Sequence, residues 1–177
     1  MPAIPSFGSA TFNCEDTNLI IKQLVDELHE QGIYLPDGDV RIGSFGDSEA
    51  LSNALILLIA AGIKRATCSL LWSWEFEGDA LPKAGDIEIV LDWHSRPALV
   101  RRAATVEIVP FARVSAGFAA SEGEGDLSLS YWQTEHWRFF SDECVRIGRV
   151  VDESMPLVCE TFDVLHVLSG FKSKVGD

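Results

Sequence analysis

Hydrophobic positions along the chain fall into two periods. Between Glu49 and Ala61 they crowd into an Ala- and Leu-rich run that predicts a helix, with Ser48 as N-cap and Gly62 at the left-handed C-terminal cap. Upstream, Ile20, Leu24, Val25 and Leu28 share one face, which predicts an amphipathic helix over Leu19–Gln31 capped by Asp16 or Thr17. Ile87, Ile89, Leu91 and Trp93 alternate, as a strand with one buried face does. Further extended segments are predicted over Val40–Phe45, Thr67–Phe76, Ala98–Val109 and Leu157–Leu168, the third bending where Arg101 and Arg102 interrupt it. Residues 113–121 and 127–144 read as helices, and 1–15 as a loose lead-in. The class is α+β, and short strands parted by turns with helices between them predict a small barrel with flanking helices.

Composition narrows the setting. A chain of 177 residues that is 47% hydrophobic has the length and apolar content of one domain with a real core. No apolar run reaches the roughly 20 residues that span a bilayer, and Met1–Gly8 has neither the basic start nor the apolar stretch of a signal peptide. The expected location is cytoplasmic, with no membrane partner. Cys14, Cys68, Cys144 and Cys159 are scattered, as are His29, His94, His136 and His166, so no spacing supports a metal site. Cys68 and Cys159, among apolar strand neighbours, read as small core residues. The net charge of −13 opposes a long nucleic acid or double-stranded DNA and favours a short or small ligand.

Candidate chemistry begins at Gly62-Ile63-Lys64-Arg65-Ala66-Thr67, where a helix ends and a strand begins. A bend there presents an amine and a hydroxyl three residues apart, and a lysine so placed can lend charge or basicity to the hydroxyl. Taken alone, the bend fits the bland reading first: Gly for positive φ, Lys for the helix dipole, Thr for the strand. Downstream, Glu122-Gly123-Glu124-Gly125-Asp126 sets carboxylates between glycines, so that Glu124 and its neighbours offer acceptors to ribose hydroxyls, a base amino group or hydrated Mg²⁺. Alternatively Asp126 caps the next helix and the glutamates are solvated. Trp72, Trp74, Tyr131 and Trp132 supply flat surfaces that either stack bases or fill the core. His136 is either a general base or a packed helix residue.

The Gly-x-Lys-x-x-Thr turn, then Val106-Glu107-Ile108-Val109-Pro110-Phe111, then Glu-Gly-Glu-Gly-Asp leading into Tyr131-Trp132, resembles the ASCH family, and more narrowly its longer bacterial subgroup with that acidic-glycine signature. The resemblance covers Ile42 to Leu165. It implies a PUA-like β-barrel over 36–170, residues 1–35 packed on it as an addition, and a frayed tail at 171–177. It also implies a cleft in which Lys64 is base or charge donor, Thr67 nucleophile and Glu107 the proton-shuttling carboxylate. By the residues' own pattern Glu107 is equally a surface carboxylate paired with Arg101 or Arg102. Small nucleoside-cleaving members carry an arginine where this chain has Ser69, so Arg65 or Arg101 would have to serve in its place. The expected ligand is single-stranded RNA or a nucleotide-sized fragment, held by Arg65, Ser69, Trp72, Arg101, Glu124, Asp126, Tyr131 and Trp132. A ribonuclease, an amidohydrolase for a small modified nucleoside and a non-catalytic RNA- or partner-binding module all fit. No cofactor is predicted, and a divalent metal ion is unsupported by spacing. Substrate and oligomeric state stay open.

Overall fold

The computed structural model describes residues 14–37 and 39–168; the first lead-in residues and the tail beyond lie outside these. Helix α1 (Cys14–Glu30) starts earlier than expected, so Asp16 and Thr17 sit inside it and do not cap it. Its Leu24 and Leu28 join Ile33, Ile87, Ile89, Val100 and Leu168 in one apolar cluster, with Val25 at the margin. Strand β1 (Val40–Gly43) is short. Helix α2 (Glu49–Ala60) is capped by Ser48, whose hydroxyl accepts from the Leu51 N–H at 3.3 Å, and Gly62 turns the chain out with φ of 72°.

The extended segment predicted over Thr67–Phe76 is half strand and half helix. β2 covers Ala66–Leu70, and α3 (Leu71–Glu77) follows at once, so Trp72 and Trp74 lie on a helix and not on two like-facing strand positions. An aromatic run of this length fits either period. Here Gly78 decides it, with φ of 75° and its N–H on the Trp74 carbonyl at 2.9 Å, a left-handed helix stop.

β3 (Ile87–Leu91) and β4 (Pro97–Pro110) follow. β4 continues through Arg101 and Arg102, because alternation sends the two to opposite faces. Arg101 is buried on the Glu88 carboxylate and over the Phe45 ring, while Arg102 is exposed beside Asp163. After a 3-10 turn at Phe111–Arg113 come α4 (Ala116–Ser121), α5 (Leu129–Arg146) and β5 (Pro156–Val167). The cap of α5 is Ser128, whose hydroxyl accepts from the Tyr131 N–H. The expected cap, Asp126, stands two residues earlier and accepts from the Ser128 N–H at 2.9 Å.

The strands form one sheet in the order β1-β3-β4-β5-β2. β1 is parallel to β3, while β3/β4 and β2/β5 are antiparallel. The expected barrel is therefore corrected to an open sheet. Closure would require the outer strands β1 and β2 to pair with each other, and each is an edge. The chain divides into two compact units: one from the chain up to Ala61, Gly85–Arg102 and Asp163 onward, the other from Gly62–Ala84 and Ala103–Phe162. The first holds the cluster of Leu24 and Ile87; the second holds a core of Leu70, Phe111, Trp132, Phe140, Met155 and Leu157. No helix among the described residues is long and apolar enough to cross a membrane.

Candidate functional site

The second unit contains a charged cluster inside its core. Lys64 is 1% exposed. A buried ammonium is tolerated only when paired and hydrogen-bonded, and Lys64 meets that condition twice. Its Nζ donates to Glu122 Oε2 and to Glu124 Oε1, both at 2.7 Å, and reaches the Glu122 carbonyl at 3.4 Å. The other Glu122 oxygen accepts from Trp132 Nε1–H at 3.0 Å and lies 3.5 Å from His136 Nε2. His136 Nδ1 is 3.0 Å from the Trp132 carbonyl. A carbonyl can only accept, so Nδ1 carries a proton and donates it there, which leaves Nε2 facing Glu122. The imidazole also stacks on the Trp132 ring, centroids 4.2 Å apart.

Local backbone chemistry brings these groups together. The Arg65 N–H donates to the Ser121 carbonyl at 2.8 Å, tying the turn after α2 to the end of α4. Gly123 has φ of 72°, and a Cβ there would stand 2.8 Å from the Ile63 carbonyl and the Lys64 nitrogen. Gly125 has φ of 57°, and a Cβ would strike the Tyr131 ring at 2.2 Å. Both glycines of the acidic segment thus serve close backbone approach.

Burial acts first on every charge here. It pulls the Lys64 pKa down, but the Glu122 and Glu124 carboxylates outweigh it and the net value lies above the ordinary 10.5. It pushes Glu122 up, and Lys64, then His136, then the bonds from Lys64 and Trp132 bring Glu122 below 4.5. Near neutral pH both are ionised. Lys64 is thus a fixed positive charge with no free base character. Cys68 lies within hydrogen-bonding reach of Glu122, and burial and the Glu122 charge hold its thiol well above 9.0.

The structure brings Lys64, Glu124 and Trp132 into one cluster, with Tyr131 against the adjoining loop. Thr67 is not part of it. Alternation along β2 gives Cys68 to the Glu122 side and turns Thr67 to the other face, where it stands opposite Glu160 in the β5 register. Ser69 follows Thr67, its hydroxyl accepting from Trp74 Nε1 at 2.8 Å. Glu107 is exposed on β4. Thr105 meets Thr161 at 2.7 Å, Glu107 returns to that face two residues on, and its charge acts on the Cys159 thiol, which burial first of all pushes up to about 12. Arg65 is exposed, with Nε donating to the Gly62 carbonyl. Trp72 lies under the Arg149 guanidinium, 5.1 Å from its ring centroid, and Asp126 is a solvent-facing turn residue. Arg101 belongs to the first unit. Sequence reasoning passed over Glu122 as the centre of the cluster. One signal was present: an acidic residue just after an apolar helix opposes the helix dipole unless something else holds it.

The sequence model of the ASCH domain matches residues 41–166. Among solved structures, the chain is similar to an ASCH domain from Lactobacillus crispatus JV V101, with 33% identity, a TM-score of 0.71, and coverage of 89% of this chain and 98% of that one. It is also similar to a protein of Enterococcus faecalis V583, with 35% identity, a TM-score of 0.72, and coverage of 86% and 92%. No curated protein sequence matches the chain. The family match over most of the chain, with two structures agreeing over nearly their whole length, shows that this chain belongs to the ASCH domain family, whose fold is associated with RNA binding.

Proposed function

We propose that this ASCH-domain protein binds single-stranded RNA, or a nucleotide-sized piece of it, at the open side of the Lys64 cluster, and that hydrolysis is the reaction it supports. The observation that carries the reading is the pairing of one buried ammonium with two carboxylates, of which Glu124 keeps 28% of its side chain exposed while Lys64 and Glu122 keep 2% each. The carboxylates exceed the ammonium by one charge. Such a site repels phosphate and suits donors: ribose hydroxyls, or an exocyclic or ring N–H of a base. Glu124 is the acceptor a ligand can reach. Arg65, exposed on the same turn, is the residue available to a flanking phosphate. His136 Nε2 is the group fitted to take a proton, from a 2′-hydroxyl in RNA cleavage or from water in amide hydrolysis. Lys64 acts as a fixed charge that orients both glutamates. The same charge excess supports a second reading, hydrolysis of a small modified nucleoside that carries no phosphate.

Equilibrium binding of a short single-stranded RNA and of free nucleosides and nucleotides tests this, at low and moderate salt with chelator present. The RNA reading expects RNA binding with a shallow salt slope, since few phosphates are neutralised. Glu124→Gln, on a part-exposed side chain, should weaken it about tenfold, as loss of a charged hydrogen bond does. Binding of nucleosides alone would select the second reading. Equal affinity of wild type and Glu124→Gln for every ligand would overturn both.

A further inference from the structure

Cys68, Glu122 and His136 converge without any sequence spacing that announces them, because they come from β2, the residue after α4, and α5. One donor atom from each, a thiol sulfur, a carboxylate oxygen and an imidazole nitrogen, lies within 4.8 Å of the other two. Tetrahedral zinc with bonds of about 2.0–2.3 Å sets its ligands about 3.3–3.8 Å apart, so closing this triangle on a cation takes a contraction of about 1 Å. The imidazole is already oriented for it. A metal-bound histidine nearly always gives its other N–H to a carbonyl or carboxylate, and His136 Nδ1 has the Trp132 carbonyl at 3.0 Å. That bond holds the ring with Nε2 toward Glu122, 3.5 Å away.

Charge agrees with geometry. Lys64, Glu122 and Glu124 set two carboxylates against one ammonium in a largely buried place. A divalent cation brings positive charge to a place where carboxylates are in excess, and it binds the thiol as thiolate with release of the proton to solvent.

We infer that Cys68, Glu122 and His136 form a binding site for a zinc-type divalent cation. Thiolate and imidazole donors select zinc, or cobalt in its place, over the harder magnesium and calcium. Three protein ligands leave a fourth position for water or a ligand group, the arrangement of zinc sites that polarise a bound molecule. Occupied, the site exchanges His136 as proton acceptor for a Lewis acid in the same place. The inference stands apart from the RNA reading, since it concerns only this chain and an ion.

Titration of chelator-treated full-length protein with Co²⁺ tests it without RNA. The expected result is a sulfur-to-cobalt charge-transfer absorption in the near ultraviolet that saturates at one equivalent and is bleached by Zn²⁺. Cys68→Ser, a small change at a half-buried position, should keep the far-UV circular dichroism and abolish the band. His136→Gln should keep the fold and weaken Co²⁺ binding at least tenfold, as loss of a ligand or its orienting partner does. Absence of the band in the wild type, or an unchanged band in Cys68→Ser, would overturn the site.

Discussion

Helix α5 carries two clusters of like composition and unlike character. At its C-terminal end Arg146 pairs with Glu143 at 3.0 Å and Glu77 at 2.8 Å; at its N-terminal half Trp132 and His136 serve Lys64, Glu122 and Glu124. Each has one cation between two carboxylates. Arg146 keeps 27% of its side chain exposed, and Glu143 is closed by a bond from the Ser73 hydroxyl at 2.9 Å. Every partner there is a brace between α3 and α5. The Lys64 cluster lies deeper and adds an imidazole and a thiol beside the carboxylate. Equal charge counts do not make equal sites; burial and uncommitted donors separate chemistry from bracing.

The largest expected effect is on stability. Lys64→Met leaves Glu122 charged, buried and without its main partner, and should cost about 3–5 kcal/mol. Arg146→Met, at a part-exposed pair where Ser73 still serves Glu143, should cost only about 1–2 kcal/mol. Denaturant unfolding of the two variants measures the gap, and equal losses would break the comparison.

Gly123→Ala should come next, at about 2 kcal/mol, because the position needs positive φ and has no room for a Cβ. It should also displace Lys64, which Gly78→Ala, in open space though also at positive φ, cannot do. Calorimetry of both variants with a binding assay separates strain from site damage.

The pH dependence of stability sharpens the contrast further, in chelator-treated protein. Glu122 has a lowered folded-state pKa, so its contribution is whole above 4.5 and is lost as pH falls through the lower folded value. Lys64 has a raised one, so its contribution is whole below 10.5 and is lost as pH rises through the higher folded value. Arg146 stays charged across both windows. Lys64→Met should therefore flatten the alkaline limb, and Arg146→Met should leave it in place. The smallest effect is expected for Ser73→Ala, about 1 kcal/mol for one neutral donor removed from a carboxylate that keeps Arg146.

Much of the fold was legible in the chain because it rests on periodicity and caps. Ser48 and Gly62 bracket α2, and β4, α5 and β5 appear close to where alternation and helical spacing put them. The segment from Leu70 to Glu77 was not, since Leu-Leu-Trp-Ser-Trp suits strand and helix alike and only Gly78 argues for the helix. Nor was the open sheet, because a period of two reveals strands but not their partners. Lys64, Glu124 and Trp132 were named from residue type and resemblance, and they share a cluster. Glu122 was passed over because it looks like its solvated neighbours in a glycine-rich loop, whereas burial depends on the approach of the Lys64 turn. Thr67 was grouped with Lys64 by spacing, and strand alternation turns it away.

The central claim is that ligand meets this chain at the Lys64–Glu122–Glu124 cluster. Titration of isotope-labelled protein with a short single-stranded RNA, followed by NMR, tests it most directly. The side-chain indole N–H of Trp132, one of five tryptophans and the one bonded to Glu122, should shift together with the backbone amides of Gly123 to Asp126. Shifts confined to Trp93 and the first unit, with the Trp132 indole unmoved at saturation, would contradict the claim.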